Sequence, residues 1–111
     1  MSDENQIEIP PSFVALYVPP GRIKPTEPRA VIAERYEFCD DLAQLMMETA
    51  SNMLHGLGIT EMDVIERCHR GLLTPESGVS EAEAGWVVRR LAELQGWDDP
   101  GPMGAEPAAA G

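Results

Sequence analysis

Apolar residues recur along Pro28 to His55 with helical spacing: Ile32, Tyr36, Cys39, Ala43, Met46, Ala50, Met53 and Leu57 alternate steps of four and three. Such a seam lays one apolar stripe along a helix. Phe38, Leu42, Leu45, Met47 and Leu54 widen it, and a stripe that wide belongs to a helix packed on more than one neighbour. The pattern predicts a long helix over residues 28–56, a rod of roughly 42 Å at 1.5 Å per residue. Pro28 fits its first turn, with Thr26 or Glu27 as cap, and Gly56 or Gly58 supplies the left-handed stop.

Two shorter helices follow. Thr60 with Asp63 approximates a capping box for residues 60–72, whose apolar face is Val64, Ile65, Cys68 and Leu72. Glu66 and Arg70 are spaced for a surface ion pair. Ser80 and Glu83 form a Ser-x-x-Glu box for residues 80–95, with Ala84, Val87, Val88, Leu91 and Leu94 on one face and Gly96 at the end. Ahead of the long helix, Ser12 to Val18 is fenced by double prolines and rich in strand formers, with both faces apolar. It predicts an extended arm, paired with its own copy or laid in a groove of the helices. Residues 19–27 are a stiff proline-rich connector. The expected fold is mainly α: one long helix, two shorter helices packed on it, and a strand-like N-terminal segment. Residues 12–97 make one domain, flanked by disordered tails at 1–11 and 98–111.

Charge narrows the partners. The 111 residues carry 19 acids against 8 bases, a formal −11. Between Pro28 and Trp97 twelve acids face six bases, so the body itself is acidic. That field repels phosphate backbones and anionic lipid and favours protein partners, basic ones included. No signal peptide is expected, no membrane-length apolar run occurs in the sequence, and Cys39 and Cys68 fall on apolar helix positions. A reduced cytoplasmic protein is expected, with a Cys39–Cys68 disulfide as the less favoured alternative. Fewer than ninety foldable residues make a thin core, and self-association through the long helix would supply burial, so a homodimer is expected.

Nothing converges on catalysis. No serine neighbours a histidine or a glycine-rich elbow, and the single lysine, Lys24, sits between prolines rather than in a phosphate loop. Glu66-x-x-His69 is half of a di-iron carboxylate motif, which two copies would complete with Glu34, Glu37, Asp41 or Glu48. Those acids follow one another on the polar side of the long helix, the pattern of a solvated face. Among the soft ligands Cys39, Cys68, His55 and His69, only Cys68 and His69 are close, and adjacent helical residues chelate poorly. No metal, no cofactor and no enzymatic activity are expected.

The candidate interaction residues are Phe13, Leu16 and Tyr17 on the arm, Arg67, Arg70, Arg89 and Arg90 as the one basic concentration, and Trp86 and Trp97 as aromatic anchors flanking the third helix. Residues 60–72 and 80–95 also have the outline of a helix-turn-helix. Their connecting loop is long, however, and Glu81 and Glu83 open the would-be recognition helix. The runs PPSFVALYVPPGR, PRAVIAERYEFCDDLA, LGITEMDVIERCHRGLL and EAEAGWVVRRLAELQGW resemble a group of short bacterial proteins without assigned activity, sometimes labelled chaperone-type ATPases or their subunits. The resemblance spans roughly residues 9–97. It implies an accessory protein beside a larger machine, while the missing phosphate loop argues against the ATPase part of the label. The expected function is a small acidic protein-interaction or regulatory adaptor, with a DNA-binding regulator as the alternative.

Overall fold

In the computed structural model, which describes residues 8–103, the long helix is present and both shorter helices pack on it. The elements are α1 (Pro11–Val14) running into a 3-10 turn (Ala15–Tyr17), α2 (Arg29–Leu57), α3 (Glu61–Leu72), a 3-10 turn (Pro75–Ser77) and α4 (Glu81–Gln95). Helix α4 packs on α2, α3 and α1. It buries Glu83, Ala84, Gly85, Val87, Val88, Leu91 and Ala92, a broader face than its periodicity predicts. Small residues line the contact between α2 and α4. Cys39, Ala43 and Ala50 of α2 and Ala84 and Ala92 of α4 are all buried, and short side chains let two helix axes approach closely.

The capping signals act as written. Thr60 with Asp63 and Ser80 with Glu83 both form reciprocal capping boxes. Gly58 and Gly96 end α2 and α4 at φ 66° and 78°, a left-handed conformation that a Cβ disfavours. The start of α2 differs: Pro28 is itself the N-cap, without a side-chain cap bond. Thr26 instead donates its backbone N–H to the Tyr17 carbonyl at 2.7 Å, fastening the connector back onto the N-terminal segment.

Ser12 to Val18 is not a strand, and no strand occurs among the described residues. Pro11 occupies the first turn of a helix, where its fixed φ is favourable and its missing N–H costs nothing. The Phe13 and Val14 amides both donate to the Pro10 carbonyl, at 2.9 and 3.1 Å. With no sheet to join, helical turns satisfy this backbone internally, and Phe13 goes into the core.

Packed residues extend beyond both expected domain boundaries toward the termini. Ile9 packs on the core. Beyond α4, Trp97 donates its amide to the Ala92 carbonyl, Asp99 binds Arg89, and Met103 lies against Gly85. Residues 98–103 therefore form a strap along α4. The rest of the two expected tails, residues 1–7 and 104–111, lies outside the described residues. No helix among the described residues is long and apolar enough to cross a membrane.

Candidate interaction surfaces

Four rings, from α1, the 3-10 turn after it, α2 and α4, pack together. Phe13 makes edge or tilted contacts with Trp86 (centroids 5.0 Å apart), Tyr17 (5.6 Å) and Tyr36 (5.7 Å), and Tyr36 meets Trp86 at 5.8 Å. Each such pair adds about 0.5–1.5 kcal/mol beyond area burial. The Trp86 indole donates to the Ser12 hydroxyl at 3.0 Å, so α1 is held by both ring packing and a hydrogen bond.

Beside the rings lies a buried carboxylate. Glu83, 5 % exposed, accepts two bonds from the Arg35 guanidinium (2.8 and 3.0 Å), one from the Tyr17 hydroxyl and one from the Ser80 amide (2.9 Å). Burial alone would raise its pKa; the donations from Arg35, Tyr17 and Ser80 outweigh that and hold it at about 2. Burial, followed by the Glu83 hydrogen bond and charge, pushes the Tyr17 phenol up. The Glu83 hydrogen bond likewise raises Arg35. One residue thus caps α4, pairs with α2 and anchors the N-terminal segment.

A groove of about 930 Å³ runs along the outer side of α4. Its lining comes from Pro10, Ser12 and Leu16 of the N-terminal segment, Tyr36 of α2, Gly85 and Trp86 of α4, Trp97, and the strap residues Asp99, Pro102 and Met103. Its charges are already matched. Arg89 binds Asp99 through two bonds of 2.7 and 3.0 Å, and Arg90 binds Asp40 (2.8 Å) and Glu93 (3.0 Å). Asp99 raises the pKa of Arg89, while Asp40 leads the same effect on Arg90. An apolar floor with a paired polar rim is the composition of sites that accept a protein segment or a small apolar ligand.

A second surface lies on α2. Val31, Phe38 and Leu45 recur every seven residues and are 38, 42 and 77 % exposed. Phe38 is partly sheltered by Gly78 and by the Arg35 guanidinium, 5.0 Å above its ring. Glu34, Asp41 and Glu48 follow each of these residues by three positions, all exposed.

Of the expected interaction residues, Leu16, Trp86, Arg89, Arg90 and Trp97 converge on the groove. Phe13 is fully buried and Tyr17 is engaged with Glu83, so these two build the groove's support. Arg67 and Arg70 stand apart, exposed near the end of α3, and Arg70 makes no salt bridge with Glu66. Both cysteines are free and buried. Burial and, second, the Glu83 charge push the Cys39 thiol up to about 12, and burial raises Cys68. His69 is also buried, its Nε2 without a hydrogen-bond partner. Among the described residues no three His, Cys, Asp or Glu side chains gather as a metal site.

Two contributors escape sequence reading. Arg35 falls next to a seam position with no local sign of its partner 48 residues away. Asp99, Pro102 and Met103 sit in a stretch with tail-like composition, although Pro-Gly turns after a terminal tryptophan are the available hint of a returning strap. Comparison with protein-family models, curated proteins and solved structures finds no match.

Proposed function

We propose that the protein is a small acidic adaptor that acts by binding other proteins rather than by catalysis, with the groove along α4 as its principal contact site. The observation that carries this reading is the convergence of Trp86, Trp97 and Leu16 with the pre-paired Arg89 and Arg90 on one open groove. Half-buried aromatics amid matched charges are typical anchors of protein contacts. The buried thiols and the fully engaged Glu83 offer little to reaction chemistry.

Self-association through α2 belongs to the same reading as a competing use of its uncovered face. Ile32, Cys39, Ala43 and Ala50 are consumed by the chain's own core, which leaves the Val31 row for any second copy. A DNA-binding regulator built on α3 and α4 draws less support. The apolar face of α4 is internal, and Arg89 and Arg90 are held by carboxylates. Duplex binding that falls steeply with salt and vanishes in Arg89→Ala/Arg90→Ala would favour it instead.

Capture from native lysate tests the adaptor reading. Wild-type bait should retain a discrete protein that Trp97→Ala, folded by circular dichroism, retains poorly. Equal retention by both baits, or none by either, contradicts it.

A further inference from the structure

The uncovered face of α2 is a surface distinct from the groove, with a definite chemistry. Val31, Phe38 and Leu45 form a seven-residue repeat over two helical intervals, about 21 Å at 1.5 Å per residue. A repeat of seven on an α-helix is the spacing by which a second helix is gripped side by side. Beside it runs an exposed acidic row, Glu34, Asp41 and Glu48, with Glu37 further round the helix. None of these four carboxylates is in a salt bridge among the described residues. The nearby guanidinium of Arg35 is committed to Glu83 and to the Gly78 carbonyl, 2.7 Å away.

We propose that this face of α2 docks a basic amphipathic helix of another protein, apolar side chains on Val31, Phe38 and Leu45 and lysines or arginines along Glu34, Asp41 and Glu48. Charge chooses among the occupants. A second copy laid on the same row would bring two acidic rows to one seam, where like charges oppose association. A basic helix turns the same carboxylates into matched partners and is drawn in by the chain's net charge of −11. The apolar row supplies burial and the acidic row supplies register and sign, the arrangement by which grooves and faces recognise amphipathic helices.

The probe is a synthetic helical peptide of about 18 residues, roughly 27 Å when helical, with leucines on one face and lysines on its flanks. Its twin carries glutamate in place of lysine. Fluorescence anisotropy should show binding of the lysine peptide alone. Binding should weaken by at least about tenfold in Leu45→Gln, as for loss of an anchor residue. It should weaken by about tenfold at low salt in Glu34→Gln/Asp41→Asn/Glu48→Gln, with the difference closing at high salt. Leu73→Gln, a change at an exposed apolar residue outside α2, should leave it unchanged. Equal binding of the two peptides, no binding of either, or indifference to the α2 variants overturns the proposal. So does sedimentation of the wild type as a dimer that Leu45→Gln dissolves, because a second copy then covers the row. The groove reading is untouched by any of these results, since it stands on Trp97.

Discussion

Glu83 binds the fold together. It completes the capping box of α4, neutralises Arg35 of α2 and holds the Tyr17 hydroxyl. Removing one partner of such a pair leaves the other desolvated, a larger loss than the pair's net value. A carboxyl lowered from 4.5 to about 2 corresponds to stabilisation on the order of 3 kcal/mol. The unfolded chain takes up this proton near its ordinary value and the folded chain only near 2. The contribution is therefore complete at neutral pH and fades as pH falls from about 4.5 toward 2. Glu83→Gln should lower unfolding free energy at pH 7 by about 3 kcal/mol and flatten the acid limb of stability against pH in denaturant titrations. The thiols give a second check. With Cys39 pushed up to about 12 and Cys68 raised by burial, both should resist iodoacetamide at pH 8 in the folded protein and react once it is unfolded.

Helix α1 shows how a local signal is overruled. Phe, Val, Leu, Tyr and Val between prolines carry strand propensity, yet the first proline pair begins a helix and the ring of Phe13 reaches Tyr36 and Trp86 from that turn. Propensity reports what a segment does given a sheet, and the described residues offer it none. Phe13→Ala should cost about 3–5 kcal/mol in urea unfolding, the loss of a fully buried ring. A value under about 1 kcal/mol, as for a surface site, would mean that the segment is not core.

The limits of α3 and α4, by contrast, were legible because each is written in adjacent residues: Thr60 with Asp63, Ser80 with Glu83, and Gly96. What periodicity left open was how closely the helices approach. Alanine and cysteine at seam positions look weakly apolar in sequence, but their small size is what lets α4 sit close to α2. The groove was half legible. Trp86, Trp97, Arg89 and Arg90 stand out by residue type, while the strap's part of the lining depends on long-range placement of residues 99–103. Arg89, taken as a free basic group, meets Asp99 only because the strap turns back.

Taken whole, the molecule holds half of the cations of its helical body in ion pairs and leaves carboxylates exposed. Four of the six basic residues between Pro28 and Trp97 are Arg35, Arg89, Arg90 and Arg70, and the first three are in salt bridges. An acidic exterior with two uncovered apolar surfaces, one at the α4 groove and one on α2, is suited to holding protein partners on different sides. Nucleic acid would meet mostly like charge. At micromolar concentration sedimentation should give the mass of a monomer, because the acidic row keeps copies apart; a dimer that Leu45→Gln dissolves would mean that the Val31 row joins them. The central claim concerns the groove. Once a partner is in hand, isothermal calorimetry against the wild type and Trp97→Ala reads it out. The account predicts a loss of affinity of at least about tenfold in the variant; unchanged affinity would contradict it.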